Sequence, residues 1–307
     1  DLAARVEADP RALLRLLRML AAIGVFDEVT PGTYRNNKLS TALRTDHPDN
    51  VRAMVLMHNA PEMSLPWLEP LEQGIRSGEV PFRLQHGQDL YDYMDNHPAF
   101  DALFAQAMDR VDALTGDSFA TEFDWQAFDR IIDMGGSKGA KSMAILKRHP
   151  HLQAVVVDRA QTIAGAADFW RDRRSPGVVE ALARMRFEVG DVLTAVPAAT
   201  SPRCAYLLSA VLHGFDDATC VQALRTVARA AIEKNAAIVL LELVMPDHHA
   251  DLTAASFDMQ MFMGTRGCER TRGEWARVFG LSGVRLMETV HLASFGKMLV
   301  LRAGPAG

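Results

Sequence analysis

The chain lacks the features that mark several large classes of protein. It has only three cysteines, Cys204, Cys220 and Cys268, an odd number without the paired spacing of zinc sites or disulfide frameworks. It has no run of lysine and arginine, and its net charge is −5, which argues against a nucleic-acid-binding face. No apolar run reaches the roughly 18 residues that a membrane-spanning helix needs. A globular protein that acts on small molecules, in a reducing compartment, is the expectation.

The composition also bounds location and size. The charged start has no apolar secretory segment, so we expect a cytoplasmic protein, and the absence of an initiating Met predicts a trimmed N-terminus. With 307 residues, 49% of them apolar, the chain is long enough for two domains. We expect the first at residues 1–120 and the second at 121–307.

The first domain is predicted to be mainly helical. Asp9-Pro10 is a typical helix start, and leucines then recur at helical spacing. They are Leu13, Leu16, Leu17 and Leu20. Pro31-Gly32 lies between two short β-rich segments and predicts a hairpin. A helix beside a hairpin is the outline of a winged-helix module, and because no basic face accompanies it, dimerisation is favoured over DNA binding.

From Asp129 onward, apolar β-rich runs alternate with helical stretches, which indicates an α/β domain with a mostly parallel sheet. Seven strands are predicted, at 130–134, 153–157, 185–189, 204–209, 237–243, 284–290 and 297–301. Only a few residues join the last two, so these should pair as an antiparallel hairpin. The expected fold has one antiparallel strand in an otherwise parallel sheet.

A glycine-dense turn at 135–139 follows the first of these strands, and such turns let ligands approach the bare backbone. Three chemistries fit it. It matches the dinucleotide pattern Gly-x-Gly-x-x-Gly in part, and the hydrolase nucleophile elbow Gly-x-Ser-x-Gly literally, with Ser137, Asp216 and His291 as the triad. From Asp133 it also matches an S-adenosylmethionine loop, apart from the serine at 137.

Acidic residues at later strand ends favour a nucleoside. Asp158 closes the second strand about 20 residues after the glycine turn, where a carboxylate can accept hydrogen bonds from a ribose diol. Asp191 closes the third strand. A hydrolase needs neither acid, and its elbow usually lies well inside the sheet rather than after the first strand.

A histidine at another strand end is the second informative feature. His213 follows the apolar strand 204–209, at the sheet edge where ligands bind in open α/β sheets. The other histidines have no such placement, and the adjacent His248 and His249 lack the i, i+4 spacing of a helical metal site.

Together these segments resemble the S-adenosylmethionine-dependent small-molecule O-methyltransferases of the caffeate and plant-phenolic type, with bacterial relatives that tailor polyketides and phenazines. The motifs that carry the resemblance are Leu14–Leu20, Gly24–Phe26, Asp133–Gly139, Asp158, Gly190–Asp191, Val211–Asp217, Leu241–Glu242 and Glu269–Thr271. It implies a class I methyltransferase domain with a Rossmann-like sheet, an N-terminal winged-helix domain that forms a homodimer, S-adenosylmethionine as cofactor and no metal.

The resemblance also implies roles for individual residues. His213 is expected to be the general base, flanked by Glu242 and Glu269. The expected cofactor-binding residues are Asp133, Gly135, Gly136, Ser137, Gly139, Asp158, Asp191, Val192 and Ser209. A phenol has a pKa of about 10 and a histidine of about 6.5, so the base should take the proton as the methyl transfer proceeds.

Two departures from the family pattern concern the cofactor loop and the base. Ser137 stands for the third glycine, at a cost of about 1 kcal/mol if its φ is positive, and the Lys138 amine would repel a sulfonium. Gly214 replaces the acid that normally follows the histidine.

The acceptor is expected between the domains, against an apolar wall. Its predicted residues are Phe104, Met108, Trp125, Met259, Phe262 and Met263.

The sequence thus predicts methyl transfer to a hydroxyl of a small aromatic natural product, without nucleic-acid or membrane partners. Methylation at nitrogen is the nearest alternative, and hydroxylation or decarboxylation on the same fold is another. A hydrolase using Ser137 and a ligand-sensing regulator are the remaining hypotheses.

Overall fold

A computed structural model of the chain describes residues 2–114, 116–173, 175–294 and 296–304. The chain divides into two compact units. The first comprises Asp1–Ser64 and Met94–Leu114, and the second comprises Leu65–Tyr93 and Thr115–Gly307. The segment Leu65–Tyr93 groups with the unit that contains the sheet. The division into domains at residue 120 stays a prediction.

Seventeen α-helices are described in the ranges above. They are α1 (Leu2–Arg5), α2 (Pro10–Ala22), α3 (Lys38–Thr41), α4 (Arg52–Asn59), α5 (Pro61–Leu68), α6 (Leu71–Ser77), α7 (Pro81–His86), α8 (Leu90–Asn96), α9 (Pro98–Leu114), α10 (Ser118–Thr121), α11 (Ala140–Arg148), α12 (Ala160–Ile163), α13 (Ala166–Arg171), α14 (Val178–Leu182), α15 (Asp217–Ile232), α16 (Leu252–Gly264) and α17 (Arg272–Ser282). Two 3₁₀ turns lie at Trp125–Ala127 and Leu212–Gly214. No helix among the described residues is both long and apolar enough to cross a membrane.

Helix α2 begins where the sequence predicts it. The Asp9 carboxylate accepts a hydrogen bond from the backbone N–H of Ala12 at 2.8 Å, and Pro10 occupies the first turn. The predicted hairpin is also present, as strands β1 (Phe26–Thr30) and β2 (Thr33–Asn36), which pair antiparallel. None of the residues of α2 is buried, so its apolar stripe is still partly exposed.

The second unit contains the predicted sheet. Its strands are β3 (Arg130–Met134), β4 (Gln153–Asp158), β5 (Met185–Val189), β6 (Cys204–Ser209), β7 (Ala237–Met245), β8 (Arg270–Thr271), β9 (Val284–His291) and β10 (Gly296–Ala303). The order is β5-β4-β3-β6-β7-β10-β9, with β8 paired beside the end of β7. Only β10 runs against its neighbours, and the other pairings are parallel.

All seven predicted strands and the final hairpin are therefore confirmed. The sequence did not predict β8, because two residues are too few to show a periodic pattern.

Both faces of the sheet are covered, as near-continuous apolar strands require. Successive side chains of a strand point to opposite faces. Ile132 and Leu208 thus pack with Val227 of α15 on one face. On the other face, Ile131 and Leu207 pack with residues of α11. The sheet is thus packed on both faces, and the loops that follow its strands lie at its edges.

Candidate active site

The carboxyl ends of four parallel strands meet at one edge of the sheet. Strands β3, β4, β5 and β6 end at Met134, Asp158, Val189 and Ser209. Because these strands are parallel, the loops that follow them lie at the same edge, which is where open α/β sheets bind ligands. The predicted cofactor residues come mainly from these loops.

The glycine turn after β3 has the conformation that its composition favours. Gly135 and Gly139 have φ values of +69° and +79°, and Ser137 also lies in the left-handed region at +52°. For serine this conformation costs about 1 kcal/mol. The predicted strain at Ser137 is thus present.

The remaining glycine of the turn is required by a buried acid beneath it. A Cβ atom on Gly136 would lie 2.6 Å from Cγ of Asp133. The Asp133 side chain is fully buried, and its Oδ2 accepts a hydrogen bond from the Ser142 hydroxyl at 2.6 Å. Asp133 therefore supports the turn from below and ties it to helix α11.

Asp158 links two of the loops. Its Oδ2 accepts a hydrogen bond from the backbone N–H of Ser137 at 2.7 Å, and its Oδ1 accepts one from the N–H of Arg159, also at 2.7 Å. Each carboxylate oxygen can accept more than one hydrogen bond, so the group can still bind a diol. The carboxylate is half-buried beside the turn, as a ribose site requires.

Lys138 is held by an aromatic cluster. Its Nζ lies 4.6 Å from the centroid of the Phe169 ring, and its carbonyl oxygen accepts a hydrogen bond from Nε1 of Trp170 at 2.5 Å. The cation–π contact directs the amine toward helix α13. This placement reduces the repulsion that a lysine in the turn would exert on a bound cation.

The third and fourth loops contribute three predicted residues. Asp191 is exposed, and its Oδ1 accepts a hydrogen bond from the N–H of Leu193 at 2.9 Å. Val192 is buried and packs in the core, while Ser209 is partly buried at the end of β6. All three lie at the edge that carries the glycine turn and Asp158.

His213 lies beside two buried carboxylates. Its Nδ1 is 2.8 Å from Oε1 of Glu269 and 4.0 Å from Oε2 of Glu242. The histidine side chain is 22% exposed, whereas those of Glu242 and Glu269 are 0% and 2% exposed. With Nδ1 bound by Glu269, Nε2 is the ring nitrogen that can take a proton from a substrate.

These neighbours shift the titration of the cluster. Burial by itself lowers the pKa of His213, but the hydrogen bond that its Nδ1–H donates to Glu269 and the charges of Glu242 and Glu269 outweigh it and raise the pKa above its ordinary value. Burial raises the pKa of Glu242 to about 7, against the opposing charge of His213. The cluster can therefore hold or release protons near neutral pH.

Glu242 also fixes the backbone at His213. Its Oε1 accepts a hydrogen bond from the N–H of Leu212 at 3.1 Å. The N–H of Glu269 is in turn held by Oδ1 of Asp258 at 2.9 Å. The two glutamates thus place the histidine as well as surround it with negative charge.

The same three side chains have ligand atoms within 4.8 Å of one another, a spacing that could hold a metal ion. A metal at Nδ1 of His213 would have to replace the 2.8 Å hydrogen bond to Glu269. The hydrogen bond fits a proton-transfer pair, and the absence of a metal stays a prediction.

The predicted acceptor wall needs one correction. Trp125 is fully buried, and its Nε1 donates a hydrogen bond to the carbonyl oxygen of Phe119 at 2.8 Å. It lies in the 3₁₀ turn just before β3, at the amino end of that strand, whereas the cofactor loops follow the carboxyl ends. Trp125 is therefore a core residue and not part of an acceptor pocket.

The other predicted acceptor residues are divided between the two units. Met259 and Phe262 are partly exposed on α16, and Met263 is buried there. Phe104 and Met108 are partly exposed on α9 of the first unit. Their role in an acceptor site stays a prediction.

Sequence reasoning missed Arg270 and Gly267. Arg270 is only 1% exposed and contacts the turn that carries His213, and Gly267 packs against the same turn. Arg270 is part of the motif Glu269–Thr271, but the sequence predicted no role for it. A basic residue directly before a strong capping residue gave no signal that its side chain would be buried.

The sheet order removes the hydrolase hypothesis. Ser137 follows β3 and His291 ends β9, and four strand-to-strand steps separate these strands. At about 4.8 Å per step, the two lie about 19 Å apart across the sheet. Asp216, the third triad candidate, caps helix α15 by accepting a hydrogen bond from the N–H of Thr219.

Comparisons with known proteins agree with this geometry. Residues 68–285 match the family model of the O-methyltransferase domain. The chain is 31% identical over 291 residues to the O-demethylpuromycin-O-methyltransferase of Streptomyces alboniger, covering 93% of this chain and 74% of that protein. It is 29% identical over 294 residues to the phenazine O-methyltransferase PhzM of Lysobacter antibioticus, covering 96% and 83%.

A solved structure is similar over nearly the whole chain. It is that of NcsB1, an O-methyltransferase from neocarzinostatin biosynthesis in complex with S-adenosyl-L-homocysteine and 1,4-dihydroxy-2-naphthoic acid. The TM-score is 0.80 at 27% identity, and the match covers 98% of this chain and 88% of that one.

Proposed function

The chain belongs to the O-methyltransferase family, and we propose that it transfers a methyl group from S-adenosylmethionine to a hydroxyl of a small aromatic natural product. The observation that carries the proposal is the pairing of His213 with Glu269 at the sheet edge that also holds the glycine turn and Asp158. A base and a nucleoside-type site at one edge are what the reaction requires.

The residues at this edge fit the cofactor. The Asp158 carboxylate can accept hydrogen bonds from the ribose hydroxyls, and the glycine turn lets the rest of the molecule approach the backbone. Asp191 and Ser209, at the ends of the neighbouring strands, would bind its remaining polar groups. When bound, S-adenosylmethionine supplies an electrophilic methyl group.

His213 would act as the general base. Its Nε2 would take the proton of the acceptor hydroxyl, while the methyl group would pass from the sulfonium sulfur to that oxygen and leave S-adenosylhomocysteine. The positive charge formed on the ring would be stabilised by Glu269 at 2.8 Å and by Glu242. General-base help of this kind contributes about 10²- to 10⁴-fold. Holding the acceptor oxygen in line with the methyl group can contribute about 7 to 11 kcal/mol.

The acceptor is an aromatic molecule that packs against apolar side chains. Met259 and Phe262 on α16 are partly exposed, and the flexible thioether of methionine suits a flat aromatic ring.

In addition, we infer a homodimer formed through the N-terminal unit, supported by the uncovered apolar stripe of α2. The three free cysteines support a reducing, cytoplasmic setting.

The test is methyl transfer from labelled S-adenosylmethionine to a panel of phenols, hydroxynaphthoates and hydroxyphenazines, with mass spectrometry of the product. His213→Gln should lower kcat by about 10²- to 10⁴-fold while the affinity for S-adenosylhomocysteine, measured by calorimetry, stays within about twofold of wild type. The control is His291→Gln, an exposed histidine on β9, which should keep full activity.

The cofactor site is tested separately. Asp158→Ala should weaken S-adenosylhomocysteine binding, whereas Asp168→Ala, which removes an exposed carboxylate paired with Arg171, should not.

Equal losses of turnover and cofactor affinity in His213→Gln would remove His213 from the base role. Turnover of an acceptor without formation of S-adenosylhomocysteine would instead favour hydroxylation or decarboxylation on this fold.

A further inference from the structure

We propose that Arg270 is a positioning residue for this reaction, which sets the place of His213 by binding the carbonyl groups on both sides of it. This proposal rests on the proposed function, because Arg270 can influence catalysis only if His213 is the general base. Arg270 would not touch substrate or cofactor and would act through the histidine.

The contacts of Arg270 surround the turn that carries the base. Nη1 donates a hydrogen bond to the carbonyl oxygen of Leu212 at 3.2 Å, and Nη2 donates one to the carbonyl oxygen of Phe215 at 2.7 Å. Nε donates to Oδ1 of Asp217 at 2.9 Å. The guanidinium thus joins the residue before His213, the residue that follows the 3₁₀ turn and the first residue of α15.

Only an arginine can make this set of contacts. The guanidinium has a planar fork of donors at fixed angles, whereas the ammonium of lysine is a point charge that cannot bind two carbonyls and a carboxylate in one plane. Arg270 is 1% exposed, so a lost contact would leave a buried polar group without a partner. The turn is therefore fixed at both ends by one rigid group.

The residues just before Arg270 fit the same turn. A Cβ atom on Gly267 would lie 1.8 Å from the carbonyl oxygen of His213, so no larger residue could occupy that position without moving the turn. Glu269, the hydrogen-bond partner of the histidine ring, is the immediate neighbour of Arg270. One short segment thus contains the residue that packs against the His213 backbone, the hydrogen-bond partner of the His213 ring and the arginine that binds the turn.

The charge of Arg270 acts on the base as well. The charged groups that face His213 are Glu242 from β7 and Glu269 and Arg270 from the segment at β8, and of these Arg270 lowers the pKa of His213 while the glutamates raise it. Loss of the positive charge should therefore raise the pKa of the histidine. Because the base must be neutral to accept a proton, the acid limb of the kcat profile would then move to higher pH.

The experiment compares Arg270→Lys and Arg270→Met with Arg277→Met. Arg277 is the matched control because it pairs with the same Asp217 but is 65% exposed. Arg270→Lys, which keeps the charge and loses the fork, should lower kcat by about tenfold to a hundredfold, the effect of a small misplacement of a catalytic group. Its affinity for S-adenosylhomocysteine should stay within about twofold, and Arg277→Met should match wild type in both.

A second readout needs no acceptor. The His213 ring is followed by NMR in histidine-labelled protein, with His213→Gln to assign the signal, and its pKa should rise in Arg270→Met and stay unchanged in Arg277→Met. If wild type methylates no acceptor, the proposed function fails, yet this titration still tests Arg270. The positioning role is overturned by wild-type kcat in Arg270→Lys, by an equal loss in Arg277→Met, or by an unshifted His213 titration in Arg270→Met.

Discussion

At the scale of single residues, the candidate base is decided by a competition between burial and charge. Burial disfavours the charged form of His213, but the contact with Glu269 reverses the direction of the shift and raises its pKa. The pKa of Glu242 is raised, whereas an ion pair usually lowers the pKa of a carboxylate, because its complete burial raises the pKa to about 7. The two glutamates also make different contacts, since Glu269 lies 2.8 Å from Nδ1 of His213 while Oε1 of Glu242 accepts a hydrogen bond from the N–H of Leu212.

The Glu269→Gln variant separates the charge of Glu269 from its shape. Replacement of the carboxylate by an amide should lower the pKa of His213, since the hydrogen bond to the Glu269 carboxylate and its charge both raise that pKa, and the acid limb of the kcat profile should move to lower pH. The plateau of kcat should fall by about tenfold or more, because the imidazolium formed in the reaction loses its partner. Steady-state rates between pH 5 and pH 9 measure both effects.

Glu233→Gln provides the control, since Glu233 is 81% exposed and pairs with the neighbouring Lys234. A limb that moves to higher pH in Glu269→Gln, or a plateau equal to that of wild type, would contradict the assigned role.

At the scale of elements, the turn between β3 and α11 is built around Asp133. The buried carboxylate binds Ser142 of the helix and leaves no room for a side chain on Gly136 above it. Asp158 then holds the turn from the adjacent strand through the N–H of Ser137. The shape of the cofactor loop thus depends on two acids, one structural and one that can also bind ligand.

Gly136→Ala should disturb this turn. The added methyl group would lie 2.6 Å from Cγ of Asp133, and overpacking of this kind costs about 1–3 kcal/mol. We expect S-adenosylhomocysteine affinity to fall by about tenfold, equivalent to about 1.4 kcal/mol. Calorimetry gives the affinity and chemical denaturation gives the free energy of unfolding.

Gly165→Ala is the matched change, because nothing lies within 4 Å of a Cβ atom at Gly165. Unchanged cofactor affinity in Gly136→Ala, or an equal effect in Gly165→Ala, would show that the contact with Asp133 does not set the loop.

At the scale of the whole molecule, the exposed apolar residues of the N-terminal unit bear on how copies of the protein associate. Leu16, Met19 and Ile23 of the α2 region are 53%, 61% and 58% exposed. An exposed apolar stripe of this kind is typical of a protein–protein contact. It supports the proposed homodimer through the N-terminal unit.

The double variant Met19→Glu with Ile23→Glu should therefore be monomeric where wild type is dimeric, because two buried charges would oppose association. Size-exclusion chromatography with light scattering gives the mass directly. Val179→Glu, at an apolar residue of α14 that is 68% exposed in the second unit, should leave the mass unchanged. A dimer that survives the double variant would place the interface elsewhere.

Local patterns in the sequence are enough to predict the sheet and to place the candidate cofactor residues at its carboxyl edge. Period-two and continuous apolar patterns report burial within one strand, so all seven strands were predictable, and the loop with Asp158 was predictable because strand ends and glycines are local signals. The resemblance added His213, Glu242 and Glu269 as a group. Each of these conclusions depends on a few neighbouring residues of the chain.

Which residues from distant segments meet depends on the packing of the folded chain. It joined Arg270 and Gly267 to the turn at His213, moved Trp125 into the core, and separated Ser137 from His291 by the order of the strands. Sheet order and side-chain burial arise from packing among elements far apart in the chain. No local pattern encodes them, so the contacts of Arg270 with the turn at His213 could not be predicted from the sequence.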